Sequence, residues 1–498
     1  MGSSIKKGAI ISYVAIFLNI AITFFYTPWM IRQIGVSDYG LYSLIISFIS
    51  YFIMDFGLSQ AVQRFIAKYR AEKNEDMVAK MVAITTKVYL IIDVVIFLVL
   101  FVLYFFISNI FTGLTPEEIE KLKGLYVIAA TFSILNFMFK PMGGAMMAFE
   151  YFVEERALEM VNKVGVVLLV CLALYFGAGV YALVLINGAV SLFASIAKFC
   201  VFKYKSKLNI QWLYYDKGEL KSIFSFSMWT FLVSLAQRLR ITLIPAVLGV
   251  VSNSSEIAIF SLAMSIEAMI VNISNALNGL FLPKVTRLAL DGNREMITTL
   301  MIRVGRLQLY VWGLIFTGFC VFGPAFLTLW VGEKFANSYY VLLFIAFASL
   351  FALTQTVAMD LVYAENEIRH TATLTLISAI IGLVIAFPLA KLYGAIGAAA
   401  GSGFGLCLYQ LMLNIFYKKK LKLSIGRFFR ECHGKILSTL LLLCIASIII
   451  VHKLTFESWF GLISGIVIYS IIFICVAYFL LFNNEEKNHI KIRNIIQI

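Results

Sequence analysis

The sequence predicts an all-α polytopic membrane protein of about 14 transmembrane helices, arranged as two parallel six-helix bundles plus two C-terminal helices. Three observations carry this expectation. The 498-residue chain is 61% hydrophobic and only 14% charged, too apolar for a soluble multidomain protein. Its apolar residues gather in runs of about 20, the length a helix needs to cross about 30 Å of hydrocarbon. The chain also repeats itself: Gly40-Leu-Tyr-Ser-Leu-Ile-Ile-Ser47 returns 218 places later as Ala258-Ile-Phe-Ser-Leu-Ala-Met-Ser265.

The runs lie near 9–31, 38–56, 81–108, 124–149, 158–178, 179–201, 223–250, 256–281, 302–331, 338–363, 371–393, 394–417, 434–451 and 459–482. The first has no small-residue cleavage site after a short apolar core, so it reads as a retained span and not a removed signal peptide. The repeat pairs the first six runs with the next six. Asn74-Glu-Asp-Met77 is echoed by Asn293-Arg-Glu-Met296, Ala145-Met146 by Ala358-Met359, and Val180-Tyr-Ala182 by Ile396-Gly-Ala398, with offsets between 213 and 219. Because six is even, both halves enter the membrane in the same sense, related by an axis along the membrane normal, with a cleft expected between them. The expected divisions are 1–210 and 211–420, one six-helix bundle each, and 421–498, two extra spans with a cytoplasmic tail.

Net charge is +14, and its distribution argues against nucleic acid. Most of the 41 Lys and Arg residues collect in alternate loops: Lys6-Lys7, Arg64 to Lys80, Lys198 to Lys221, Lys284 to Arg303, Lys418 to Lys435, and Lys487 to Arg493. The positive-inside rule then puts both termini in the cytoplasm, as an even helix count requires. The segment Gln63 to Lys80, rich in both signs of charge, reads as a solvated helix at that surface. No loop is long enough for a nucleotide-binding domain, and no phosphate-cradling glycine-lysine motif is present. The seven cysteines form no close pair and read as buried thiols; the four histidines have no ligand spacing. No metal or cofactor is expected.

At Ile34-Gly-Val-Ser-Asp-Tyr-Gly-Leu-Tyr42, Asp55-Phe-Gly-Leu-Ser-Gln60 and Arg64-Phe-Ile-Ala67, the sequence resembles the polysaccharide transporters of the multidrug/oligosaccharidyl-lipid/polysaccharide exporter superfamily, above all its O-antigen and teichuronic-type lipid-linked oligosaccharide flippases. Leu392-Tyr-Gly-Ala-Ile-Gly-Ala-Ala-Ala400 is similar to the glycine-alanine helix junction of that family, and the likeness runs from about residue 5 to 420. Physically, Gly35, Gly40 and Gly57 break the apolar pattern where close approach or backbone freedom is useful. Asp38 is placed to cap the second span, and Asp55 and Arg64 bracket its cytoplasmic end.

Charges at bilayer depth cost a few kcal/mol and face a cavity or a partner. The candidates are Lys87, Asp93, Lys140, Arg238, Arg240, Glu267, Arg306 and Asp360. Arg238 and Arg240 lie mid-span in the first helix of the second half, about 200° apart around it, so they cannot share a face. Arg238 continues the polar stripe Ser227, Ser234, Thr242; the first helix of the first half carries Ser12, Asn19, Thr23 and Thr27 at the same spacing. We expect these stripes to line the cleft, with Arg238 on the diphosphate of a polyprenyl-linked sugar chain, since a planar guanidinium binds two oxygens at once. Lys140, followed by the helix-kinking Pro141, is a second cation for that role, and Arg240 a third. The alternative is an internal ion pair of one arginine with Glu267; Asp93 and Asp360 are further ion-pair or coupling candidates. Asn272, Asn275 and Asn278 form interhelical hydrogen bonds or contact sugar.

The resemblance and this cationic set imply a flippase that moves polyprenyl-diphosphate-linked oligosaccharide from the cytoplasmic to the outer leaflet by alternating access. The setting would be a bacterial or archaeal inner membrane, with membrane lipids and polysaccharide polymerase machinery as partners. The alternative is a cation-coupled multidrug exporter of the same superfamily, favoured if Glu267 and Asp360 open to the cleft and the arginines turn away. A membrane enzyme is not expected, because the outward loops are too short to hold a catalytic cluster. In similar lipid II flippases two extra helices form a groove for the lipid tail; the last two spans here either do the same or only pack on the core. Topology is directly testable: a fluorescent protein fused after Ile498 is expected to fluoresce and alkaline phosphatase there to be inactive, whereas the opposite pattern would reverse the orientation.

Overall fold

With no water inside hydrocarbon to bond a backbone N–H or C=O, an apolar chain satisfies those groups locally and becomes helical. The computed structural model describes residues 20–52, 54, 57–211, 214–221, 223, 231, 234–235, 238–239, 242–275, 281–451, 456–483 and 486–487, with backbone only at 60 and 272–275. Its elements are all helical among the described residues, and ten helices are long and apolar enough to cross a membrane.

The described part of the first span is helical over 20–34 (α1). Then follow Val36–Phe52 (α2), Leu58–Ala71 (α3), Glu75–Ile110 (α4), Pro116–Phe137 (α5), Pro141–Ala148 (α6), Phe152–Tyr175 (α7) and Val180–Ser206 (α8). The second half gives Ile244–Val251 (α9), Ser254–Asn275 (α10), Leu282–Leu290 (α11), Arg294–Trp330 (α12), Ser338–Leu353 (α13), Thr356–Ala364 (α14) and Ile368–Lys419 (α15); Lys435–Val451 (α16) and Trp459–Val476 (α17) close the chain. The runs expected at 9–31 and 223–250 lie largely outside the described residues.

Helix starts keep the repeat's register. Val36 and Ser254 begin equivalent helices 218 apart, Glu75 and Arg294 219 apart, and Pro141 and Thr356 215 apart. The echo Asn74/Asn293 has a structural cause: each is an N-cap whose side-chain oxygen accepts from the backbone N–H three residues on, Met77 and Met296, at 3.0 Å in both. Ahead of each cap lies a short amphipathic helix. In α3, Leu58, Ala61, Val62 and Ile66 are buried at helical spacing, so the expected solvated segment begins earlier than Gln63 and hides one face. A helical period of 3.6 puts those four on one side and leaves Arg64, Lys68 and Arg70 on the other.

The described residues group into two compact units, one within 1–261 together with 383–398, the other within 262–382 together with 399–498. In the first unit, the N-terminal ends of α2, α5 and α10 are tied by a polar cluster. Glu118 closes a capping box with Thr115 and accepts from Ser37 (2.8 Å) and from Ser254. Asp38 sits in the first turn of α2 but its carboxylate takes a 2.9 Å bond from Lys121, so its partner is a neighbouring helix. Gly40 lies where α2 and α10 cross: a Cβ there would stand 2.0 Å from the Ser254 carbonyl oxygen.

The glycine-alanine junction is a true break. α15 is interrupted at Tyr393 and Gly394 (φ 56°, ψ −136°), and the freed N–H of Ala395 is taken by the Glu256 carboxylate at 2.7 Å. In the second unit the two arms of α15 fold back on each other, and glycines let them touch: a Cβ on Gly405 would be 2.9 Å from the Gly382 Cα.

The final two helices pack on α12. Their main polar tether is Arg306, flagged by sequence as an intramembrane charge. Its Nε and Nη2 donate to Glu486 (2.7 and 2.8 Å), its Nη1 to the Glu431 carbonyl (2.9 Å), and Nη2 also to the Leu481 carbonyl (2.8 Å). All seven cysteines are free thiols, but packing brings Cys320 and Cys444, remote in sequence, into hydrogen-bonding reach.

Two outcomes follow. Gly40→Ala is expected to lower the melting temperature by several degrees through overpacking worth about 1–3 kcal/mol, while Gly179→Ala, whose Cβ meets nothing within 4 Å, leaves it unchanged. Arg306→Ala leaves Glu486 without its counter-charge at a site where breaking a buried pair costs about 3–5 kcal/mol; the lower end applies because Glu486 is 23% exposed and keeps its bonds from the Asn483 N–H and the Tyr310 hydroxyl. Faster proteolysis near 482–487 in Arg306→Ala than in wild type, at equal expression, is the measurement.

Candidate functional site

Each repeat interrupts one span in its interior, at the same place. Pro141 supplies no N–H and its ring conflicts with the carbonyl four residues back, so α5 ends at Phe137, passes through two tight turns (Phe139 N to Asn136 O, Lys140 N to Phe137 O) and restarts as α6. At the equivalent place in the second repeat there is no proline, and the break falls at Thr354-Gln355, where Gln355 (φ −112°, ψ 21°) caps α14. The Thr354 hydroxyl bonds the Phe351 carbonyl and contacts His433 Nε2 at 3.2 Å. The resumed helices have eight and nine residues, about 12 Å of rise, so both breaks sit well inside a hydrocarbon core of about 30 Å.

The residues at these two N-caps are the chemical difference between the repeats. The first has Lys140, whose ammonium lies 5.4 Å from the Phe137 ring centroid; the second has the neutral Gln355. A helix start carries unpaired N–H groups and the positive end of the dipole, so a lysine there concentrates positive potential. Each resumed helix packs on the short amphipathic helix of its own repeat, α6 on α3 and α14 on α11.

Arg238 is half-buried in the first unit. Its Nη1 donates to the Ser50 carbonyl (3.2 Å), and its own carbonyl accepts from the Tyr51 hydroxyl (2.8 Å). Ser50 lies in the last turn of α2, where carbonyls lack intrahelical partners, so this guanidinium caps a helix C-terminus with one of its donors. Ser234 and Thr23 are half-buried in the same unit. Arg240, Asn19 and the side chain of Asn272 lie outside the described residues, as do Asp55, Asn278 and the side chain of Asn275. Lys87, another charge within an apolar run, donates to the Tyr214 carbonyl at 3.0 Å.

The three acids have different surroundings. Asp93 on α4 is 7% exposed and its Oδ1 has no hydrogen-bond partner among the described residues. Glu267 on α10 accepts from Ser349 at 2.9 Å. Asp360 on α14 borders a cavity of about 620 Å³ in the second unit, which also involves Gln355 at the break and Gln410 of α15. A scan for charge in apolar runs finds Asp360 and passes over both glutamines; their signal was a neutral amide inside a span. Among the described residues, no group of three or more His, Cys, Asp or Glu is placed to hold a metal ion.

This is a multi-pass helical membrane protein whose two sequence repeats each interrupt a span. Residues 5–288, over half of the chain, match the family described as polysaccharide biosynthesis protein, and the chain belongs to that family. Curated proteins yield no match. Among solved structures it is similar to a lipid II flippase, MurJ, in an inward closed conformation (12% identity, TM-score 0.69, covering 95% of this chain and 98% of that one). It is similar also to an inward-facing multidrug resistance MATE family transporter of the MOP superfamily (12%, 0.64, 83% and 99%). A third is a MOP superfamily transporter from Pyrococcus furiosus, reported as having a binding pocket of reverse polarity (12%, 0.54, 86% and 94%). At these identities the likeness establishes the fold that these solved structures share.

Proposed function

We propose that this chain is a flippase that carries polyprenyl-diphosphate-linked oligosaccharide from the cytoplasmic to the outer leaflet of a bacterial or archaeal inner membrane, delivering it to the machinery that polymerises surface polysaccharide. Membership in the polysaccharide biosynthesis family carries the reading, and the solved lipid II flippase of similar fold supports it. The transport step is alternating access between the two repeats, residues 1–210 and 211–420, with 421–498 as an accessory helix pair. The diphosphate is the part of such a substrate least able to enter hydrocarbon unaided, so a cation at membrane depth is what the mechanism needs.

Lys140 fits that need: it stands at an interior helix start, where dipole and ammonium add. Arg238 is the second phosphate-contacting cation, with Ser50 holding its guanidinium in place, and Arg240 the third. Asn19, Thr23, Ser234 and Asn272 complete the polar lining. Asp93, a buried carboxylate with an unmatched oxygen, is the coupling residue of the first half, and Glu267 and Asp360 serve the second. A cation-coupled multidrug exporter is the competing function.

Deleting the gene is expected to accumulate lipid-linked oligosaccharide on the cytoplasmic leaflet; normal surface glycan with no accumulation would sink the flippase reading. Lys140→Ala and Arg238→Ala are each expected to cut export roughly 10- to 100-fold, the loss of one charge-assisted bond of about 1.5–3 kcal/mol, with normal insertion. Arg238→Lys is expected to recover part of it. Unchanged export in both alanine variants would remove these residues from the substrate path.

A further inference from the structure

The cavity of about 620 Å³ in the second unit has a wall that its own fold leaves incomplete. Gln355 is 2% exposed, and neither its amide oxygen nor its amide nitrogen has a hydrogen-bond partner among the described residues. Gln410, 6% exposed, leaves its nitrogen unmatched in the same way. Asp360 (8% exposed) borders the same space, with Tyr363, Tyr409 and Tyr417. Buried polar groups are otherwise paired almost without exception. This region does pair one: Gln308, 3% exposed, exchanges both halves of its amide with the Thr356 hydroxyl, at 3.1 and 3.3 Å.

We propose that this cavity is a binding site for a neutral, hydroxyl-rich ring, a monosaccharide unit. The donor and acceptor sets choose the class. An amide with neither end bonded carries one acceptor and two donors side by side, which adjacent hydroxyls match because each hydroxyl both donates and accepts. Asp360 accepts further hydroxyl protons. The tyrosine rings offer flat apolar faces with polar tips. Among the described residues, no Lys, Arg or His borders the cavity, so none of them supplies an anion with a counter-charge there. A bare metal cation would suit Asp360 and the Gln355 oxygen, but would leave the nitrogens of both glutamines facing a like charge. The volume falls in the ordinary range of small-molecule sites, roughly 300–1,000 Å³.

The inference deepens the flippase reading and rests on it for its biological meaning: Lys140 at one break suits the diphosphate, and Gln355 at the equivalent break suits sugar. The binding itself is independently measurable. With full-length protein in nanodiscs, saturation-transfer NMR with the methyl glycosides of glucose, galactose and N-acetylglucosamine is expected to give a saturable signal for at least one of them. The affinity should fall at least about ten-fold in Gln355→Leu and in Gln410→Leu, the worth of one or two buried hydrogen bonds. Both variants should keep or raise the melting temperature, since each removes an unmatched buried amide; if either fails to fold, Gln355→Met and Gln410→Met take their place. Absence of a saturable signal with all three glycosides would overturn the proposal, as would binding that both variants retain, or stabilisation by sodium chloride or choline chloride alone. Accumulated lipid-linked oligosaccharide in the deletion strain without glycoside binding overturns this site and leaves the flippase standing; glycoside binding that the variants abolish, without accumulation, supports the site and overturns the flippase.

Discussion

A backbone polar group inside a bilayer has no water to turn to, so it must be satisfied by the protein. Long uninterrupted helices meet that demand automatically, and most of this chain consists of them. The informative places are where a helix stops early. At Gly394 the backbone leaves the helical region and the Glu256 carboxylate takes the Ala395 N–H. At the last turn of α2 a carbonyl is met by Arg238. Near the C-terminal end two carbonyls, Glu431 and Leu481, are met by Arg306 while Glu486 neutralises it. Charged residues that look costly in an apolar sequence are in these cases what makes an interruption tolerable.

The duplicated halves show which interruptions belong to the scaffold. Asn74 and Asn293 cap equivalent helices with the same bond at the same length, and both repeats break one span ahead of a short helix that packs on the preceding amphipathic helix. Geometry has been kept while chemistry has diverged. The first break is forced by Pro141 and bears Lys140; the second has no proline and bears Gln355. The outcome is a cation at one break and an unpartnered amide at the equivalent break of the other repeat.

Legibility from sequence followed the range of the interactions involved. Span positions, the repeat and the glycine-alanine junction could be read because each is written in consecutive residues: apolar length, echoed words, a helix-breaking pair. Gly40 was recognised as a close-approach candidate, but that it faces the Ser254 carbonyl depends on a helix crossing. Asp38 was read as a cap because capping is local; its partner, Lys121, is 83 residues away. Charge marks Arg306 and Asp360 within apolar runs, whereas Gln355 and Gln410 carry none, and the cost of an amide appears only when its partners are missing.

By itself the sequence determined that this is a polytopic helical membrane protein with a duplicated core, because hydropathy, loop charge and repetition are properties of the chain that hydrocarbon and the positive-inside rule convert directly into topology. Only the tertiary structure decided which buried polar groups are spoken for. Gln308 is satisfied by a threonine 48 residues on and Arg306 by a glutamate 180 residues on, whereas the buried amide of Gln355, beside a cavity, has no partner among the described residues. Satisfaction is a relation between groups that folding brings together, and no local pattern records it.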